Sequence, residues 1–310
     1  MSENDARQSG LSVLRGGVHT TLQDIGRFGH AAQGLSQGGA MDLHAHCWAN
    51  RLLANSAQCP SLEMAVGMGI FRAEADLLLA ITGADMQAEL DGIAVRNWCS
   101  LSMKRGQTLA LKPARDGLRS YLAVQGGFQS HPVLGSVSTV VRNGLGSILS
   151  EGDFLPAASS GSMTPVHVPK RYVPVYSDIV ELRVIESYQA EHFPSEVKQG
   201  FYQARYRVSK ESDRMGMRLQ GQNLIPSPTG LVSEGIALGA IQIPPDGQPI
   251  ILLNDRQTLG GYPKMGCVAR VDLPKLAQAH PGTRVSFSPI ALEQARAEWQ
   301  DFCAYFDLCH

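Results

Sequence analysis

Asn254, Asp255, Arg256, Gln257, Thr258, Tyr262 and Lys264 crowd one short stretch around Gly260 and Gly261, directly after the apolar run Ile250 to Leu253. So many ionisable and hydrogen-bonding groups hung on a strand-like run point to chemistry before packing. Arg256 and Lys264, joined by Arg214 further back, bring fixed positive charge, and an arginine holds a carboxylate or phosphate through two parallel hydrogen bonds. Asp255 and Glu234 are available as bases or orienters. Gln257 and Tyr262 can donate to a carbonyl, and Gly260 and Gly261 let backbone N–H groups approach an anion closely. Each has a plainer reading: Asp255 and Arg256 as an ion pair shaping the loop, the two glycines as a tight turn, Tyr262 with Pro263 as a rigid turn, Glu234 as a capping group.

A second set of candidates lies near the N-terminus. Gln23, Asp24 and Arg27 follow a strand-like run and precede a Gly-rich segment, which suits either a lined pocket or an inter-lobe hydrogen-bond network. Ser36, Gly38 and Gly39 form a small-residue loop before a helix that begins near Asp42. The loop can present N–H groups to an anion, or Asp42 can serve as an ordinary N-cap. Asn50 on that helix is undecided between substrate contact and packing. No base and nucleophile fall close enough in sequence to define a triad.

The elements that must position these groups are mostly strands. Short apolar runs recur at Leu77 to Ile81, Leu109 to Leu111, Tyr121 to Val124, Val180 to Ile185, Ile241 to Ile243, Ile250 to Leu253, Val268 to Val271 and Val285 to Phe287. Turn signals such as Asp91-Gly92, Gly126-Gly127, Asp246-Gly247 and Pro281-Gly282 separate them, the punctuation of sandwiches or barrels. Three helices are predicted: one carrying Met41, Ala45, Trp48 and Leu52, a short one over Leu273 to Ala279 capped by Asp272, and a C-terminal one with Leu292, Ala295, Trp299, Phe302 and Phe306 on one side. The stretch from Pro156 to Ser177 is rich in Pro, Ser, Gly and Ala. It predicts an exposed linker over 156–177 between an N-terminal lobe at 11–155 and a C-terminal lobe at 178–310.

Composition bounds the function. A chain of 310 residues, 44% hydrophobic and 18% charged with net charge −1, is an ordinary globular composition with no bias toward nucleic acid or membrane surfaces. The polar start, Met1 to Gly10, and the lack of a long apolar run predict a cytoplasmic protein. The six cysteines show no C-x-x-C spacing, so free thiols are expected and a structural zinc is not. There is no P-loop, and Gly144 and Gly146 lack the rest of a dinucleotide fingerprint. His44 and His46, two apart on a predicted helix, point to different faces and read as solvated or packed rather than metal-binding. Lys104, after Ser102-Met103, resembles a biotin attachment lysine only faintly and reads better as a hairpin lysine.

Two motif clusters are more specific. The first runs from Thr20 to Gly29, then Gly34 to Asp42, Ala49 to Leu52, and Leu62-Glu63; the second comprises Ser212 to Gly216, Ser233 to Gly235, Gly239 to Pro249 and Asp255 to Lys264. In this order they resemble the allophanate hydrolase subunit 2 family of biotin-dependent carboxyltransferase-like proteins, and within it the group formed by the C subunits of bacterial 5-oxoprolinases. The likeness extends from about Leu11 to about Leu292.

The resemblance implies a mainly β protein with a few helices, in two β-barrel-like lobes, the C-terminal one cyclophilin-like. It implies a subunit, active only in complex, of an ATP-dependent assembly that opens 5-oxo-L-proline to L-glutamate. The partners would be a B-like sister subunit and an A-like subunit; ATP enters through the complex, and biotin, where used, is carried on another chain. The alternatives it leaves are a urea or allophanate-type carboxyltransferase component, and a non-catalytic regulator of a kinase-inhibitor-like sister protein. A lactam carbonyl is a poor electrophile, so Arg256, Arg214 and Lys264 would face developing oxyanion charge, with Asp255 or Glu234 near the nitrogen. The chain departs from the family pattern at Asp213, where Asn is frequent, and at Asn254, where Ala is common; both are expected to retune substrate choice.

Overall fold

A computed structural model of the chain describes residues 9–161, 164–225 and 231–308. Residues 1–8 of the polar start, residues 162–163 of the expected linker, and Cys309 lie outside the described residues. The chain divides into two compact units, one of residues 1–26 and 42–175, the other of 27–41 and 176–310. The fold is mainly β, as expected.

The first unit is built of two sheets. One runs Phe154–Pro156, Gly10–Gly16, Gly69–Ala73, Thr108–Leu111, Glu89–Leu90, Ile93–Ala94; the other runs His19–Gln23, Ser61–Ala65, Asp116–Val124, Leu77–Asp85, Cys99–Met103. Leu11, Phe71 and Leu109 of the first share one core with Leu62, Leu79, Leu101 and Leu122 of the second, so the barrel-like expectation takes the form of a sandwich here. Leu77–Asp85 is buried along nearly its whole length rather than at alternate residues. The cause is α1 (Leu43–Arg51), which packs on this strand and on Asp116–Val124, covering the face turned away from the core. The α1 N-terminus is fixed at Asp42, whose carboxylate accepts from Ala45 N at 2.9 Å. Lys104 follows Cys99–Met103, but the next strand, Thr108–Leu111, joins the other sheet, so the expected hairpin is a crossing between sheets.

The second unit centres on a closed seven-stranded barrel in the order Ile179–Glu186, Lys264–Val268, Ala240–Gln242, Ile250–Leu252, Gly216–Gln220, Tyr206–Val208, Arg284–Pro289. An odd ring cannot alternate direction all the way round, and the mismatch falls where Ile179–Glu186 and Arg284–Pro289 pair in parallel. Leu182, Tyr206, Ile241, Ile251, Met265 and Phe287 fill the interior. The apolar run Val268 to Val271 leaves the barrel at Val268 and turns through a 3-10 helix at Arg270–Asp272. Asp272 does not cap α3 (Leu273–Ala277) with its side chain; its carboxylate is taken by Arg183 and Lys275. An unforeseen helix, α2 (Ser195–Gln203), buries Phe201 against Phe287 with ring centroids 4.4 Å apart. The final helix, α4 (Leu292–Phe306), buries Ala295, Cys303 and Phe306 and slides Trp299 under the Arg270 guanidinium at 4.1 Å, while Leu292 stays exposed.

The segment 156–177 is mostly exposed, as expected, but it is not a free linker. Ala157, Ser160, Val166 and Val168 donate backbone N–H groups to Ser9 O, Asp76 O, Ser100 Oγ and Trp98 O, so this stretch runs along the first unit, which extends to Val175. Residues 27–41, expected in the N-terminal lobe, group instead with the second unit, held there by hydrogen bonds described below. No helix of the described residues is long and apolar enough to cross a membrane.

Candidate functional site

Of the residues singled out near the N-terminus, those in the first unit are consumed by internal bonds. Gln23 is fully buried and donates to Thr21 Oγ1 and to Thr139 O, both at 3.0 Å. The Asp24 carboxylate accepts from Gly26 N, Val137 N and the hydroxyls of Ser136 and Ser138, which pins the loop 136–138. Asp24 also lines a cleft of about 690 Å3 with Pro60, Phe128, His131 and Val137, but its oxygens already serve the loop. Asn50 donates to Cys59 O at 2.9 Å and accepts from Asn55 Nδ2 at 3.0 Å, tying the end of α1 to the turn that follows. His46 bridges Ser61 Oγ and Ala57 O, and burial pushes its ring below the ordinary histidine range; burial pushes His44 down to about 4. Both imidazoles are packed helix residues.

In the second unit the loop 36–40 is strapped onto the stretch Asn254 to Arg256. Gly38 N donates to Asn254 O, and the Asn254 amide donates to the carbonyls of Gly38, Gly39 and Ala40, each at 3.1 Å. Ser36 Oγ donates to Arg256 O at 2.8 Å and to Asp255 O at 3.2 Å. Arg27, also buried, donates its backbone N–H to Gln37 O at 2.7 Å. Ser36 and Gly39 are thereby parts of a strap. Asn254 shapes this loop. Substituting it by the smaller Ala removes this donor from the buried carbonyls of Gly38 and Ala40 and leaves Gly39 O to Arg214, so Asn254→Ala should cost about 1–3 kcal/mol. Chemical denaturation reads this directly. Asp213 likewise serves its own turn, accepting from Met215 N at 2.8 Å and Gly216 N at 3.2 Å.

Asp255 does not pair with Arg256. Its partner is Arg214, whose Nε and Nη2 each meet one carboxylate oxygen at 2.9 Å, while Nη2 also donates to Gly39 O at 2.9 Å. Both side chains are buried, so the two charges cancel within a planar, two-point contact. An acid so held is an orienter rather than a free base. Arg256 is thereby left without an acidic partner among the described residues: Nε donates to Ile236 O at 3.1 Å and Nη1 to Leu253 O at 3.3 Å. Burial pushes its guanidinium down to about 10, which keeps it cationic at neutral pH. Neighbouring Cys267 is pushed up to about 11 by burial and stays a thiol. Burial raises Cys59 and Cys99 too, so none of these three is poised as a thiolate nucleophile.

Around Arg256 the remaining candidates gather on one side of the barrel. Glu234 and Gly260 are opposite one another in a two-stranded ribbon formed by Glu234–Gly235 and Leu259–Gly260. The Glu234 carboxylate takes the buried Lys264 ammonium and the hydroxyl of Tyr188, and Gln189 Nε2 donates to it at 3.0 Å. Hydrogen bonds from Lys264 first, then Tyr188, hold Glu234 below the usual carboxylate range, so it is anionic at neutral pH. Gln189 also accepts from Lys264 N at 2.9 Å, binding strand and ribbon together. Gln257 and Tyr262 are exposed, and Gly261 lies under Leu231 O and Ser233.

Sequence reasoning passed over Gln242. It sits inside the apolar run Ala240 to Ile243, pairs with Lys264 on the neighbouring barrel strand, is 2% exposed, and its Nε2 has no hydrogen-bond partner among the described residues. A polar residue where the strand's neighbours are all apolar is the signal that marks it. Tyr188 and Gln189, on the 3-10 helix Tyr188–His192, carried no such signal.

The barrel thus carries a strapped ion pair, a half-buried arginine with no acidic partner among the described residues, and a Lys–Glu–Tyr cluster, and the domain is of the carboxyltransferase type by its relationship to known proteins. The chain belongs to the family described as "Carboxyltransferase domain, subdomain A and B", which it matches over residues 33–289. It is 38% identical to the C subunit of 5-oxoprolinase from Escherichia coli K12 over 304 residues, 96% of each chain. It is 35% identical to the C subunit of the Haemophilus influenzae 5-oxoprolinase over 92% of this chain and 93% of that one. Among solved structures, the urea amidolyase of K. lactis superposes with a TM-score of 0.89 at 27% identity, over 97% of this chain and 20% of that much longer one.

Proposed function

We propose that this chain is the C-type subunit of an ATP-dependent 5-oxoprolinase complex, which opens the lactam of 5-oxo-L-proline to L-glutamate. The observation that carries this reading is the 38% identity with the E. coli C subunit over 96% of each chain, against 27% with the urea amidolyase. The site chemistry is compatible with it. A lactam resists attack because its nitrogen lone pair is delocalised into the carbonyl, so ring opening needs positive charge where the carbonyl oxygen becomes an oxyanion. Arg256 supplies a desolvated cation not cancelled by a carboxylate, and the Arg214–Asp255 pair and the 36–40 strap hold its backbone in place. Glu234 and Lys264 offer an acceptor and a donor side by side, suited to relaying a proton at the ring nitrogen.

A partner subunit brings the nucleotide chemistry, because this chain has no P-loop. The purified chain alone is therefore expected to leave 5-oxo-L-proline intact, and hydrolysis to appear when A-like and B-like subunits and ATP are added. ATP-dependent glutamate formation by the lone chain defeats this reading. A carboxyltransferase component working with biotin carried on another chain is the second reading, favoured by the superposition on urea amidolyase. It predicts that avidin blocks turnover by the assembled complex, whereas the first reading predicts no effect. The reaction belongs in the cytoplasm, where ATP is available.

A further inference from the structure

We propose that the outer wall of the barrel holds a binding site for a phosphate group, with the guanidinium groups of Arg205 and Arg284 and the hydroxyl of Ser286 as its donors. The strand register brings these residues together. Arg284 lies opposite Ile179 on one neighbouring strand and opposite Arg207 on the other, and Val285 lies opposite Val180 and Tyr206. Val180, Tyr206 and Val285 are buried in the barrel interior, so the residues flanking each of them point outward. Arg205, which immediately precedes Tyr206, therefore faces out beside Ser286, and Ile179 faces out beside Arg284. Ile179, Arg205, Arg284, Val285 and Ser286 line a pocket of about 110 Å3 on this wall, well apart in sequence from the loop that carries Arg256.

The donors in this pocket are unspent. Neither guanidinium forms an ion pair or a hydrogen bond with a described residue, and the Ser286 hydroxyl has no partner among them. Asp178, next to Ile179, sets its carboxylate 3.2 Å from His280 Nε2, and Glu181, paired with Ser286 on the other side, does not line the pocket. Two like charges around one small pocket repel, and an anion between them removes that repulsion. A carboxylate brings one charge and two oxygens. A phosphate group brings a charge of about −1.5 to −2 at neutral pH and at least three acceptor oxygens, enough for two guanidinium groups and a hydroxyl. A water's share of liquid volume is about 30 Å3, so the pocket has room for a tetrahedral oxyanion and none for a nucleoside. Ile179 and Arg205 are exposed, so the pocket is reached from solvent, and the phosphate is either free or the end of a molecule whose remainder lies outside.

Calorimetric titration of the purified chain with inorganic phosphate, against sodium chloride at the same ionic strength, tests the site. A Kd of roughly 1 mM or below is expected for phosphate. Arg205→Gln and Arg284→Gln should each weaken it by about tenfold or more, the scale of one lost charge-assisted contact. Arg207→Gln, on the same face but outside the pocket, should change it by less than about threefold. Neither lining arginine pairs with a described residue, so both variants should keep the natural Tm in chloride. Adenosine monophosphate separates the two sources: binding as tight as phosphate supports a site for a phosphate-bearing molecule, and loss of binding with phosphate retained supports a site for the free ion. A response to both probes no larger than to chloride overturns the proposal. Phosphate binding that survives both arginine substitutions overturns it as well, as does an equal loss from Arg207→Gln, which marks a diffuse basic surface in place of a site.

Discussion

Replacing Arg214 with alanine is expected to destabilise the second unit by about 3–5 kcal/mol, the scale of leaving one member of a buried pair uncompensated. Asp255 would keep a buried charge without either of its 2.9 Å contacts to Arg214, and Gly39 O would be left with Asn254 as its donor. The fall in Tm should be of order ten degrees, with guanidinium denaturation giving the free energy. Asp255→Ala should be comparable, since it strands the guanidinium instead. A double variant with apolar residues at both positions should recover much of the loss, because replacing both partners avoids an orphaned charge. An Arg214→Ala chain within 1 kcal/mol of the natural one would show that the pair contributes little and that the strap is held by Asn254 and Ser36 alone.

Arg256→Ala is expected to act in the opposite manner, with turnover of the assembled complex down by roughly a hundredfold or more, the scale of one lost oxyanion donor. Stability should change far less, because Arg256 offers its neighbours two hydrogen bonds to carbonyls and no ion pair. Arg256→Lys should restore only part of the rate, since an ammonium cannot reproduce a planar two-point contact. The comparison with Arg214→Ala separates a residue that shapes the loop from one that serves the reaction. Near-normal turnover in Arg256→Ala removes that residue from the site.

Much of the architecture is legible in local pattern. Seven of the eight apolar runs mark strands, because a strand buried on one or both faces must be apolar over a few consecutive residues. The run Val268 to Val271 misleads because the strand ends at Val268 and the chain turns into a 3-10 helix at Arg270–Asp272 that leaves Val271 only half-buried, and α2 hides because Phe201 is its lone buried residue. The loop from Asn254 to Lys264 stands out by composition, but its wiring does not. Asp255 adjoins Arg256 in sequence, yet its partner Arg214 is 41 positions away. Gln242 reads as core for the same reason its neighbours are core: only three-dimensional placement reveals that its Nε2 has no hydrogen-bond partner among the described residues. Gln23, Asp24 and Asn50 show the converse, polar residues in a suggestive motif whose hydrogen bonds are spent locally.

The membership of residues 27–41 in the second unit also bears on how this chain is made. The barrel's first and last strands pair in parallel although they lie about a hundred residues apart, a non-local contact of the kind that slows folding. The strap that braces Asn254 to Arg256 leaves the ribosome before most of the first unit, yet it finds its seat only after the barrel strand Ile250–Leu252 has appeared. For the whole of that interval the strap waits without its partner. The two units are thus interleaved in order of synthesis rather than strung in series. A gene fragment starting at Tyr176 would encode every barrel strand and still yield a barrel with an unbraced loop beneath Arg256.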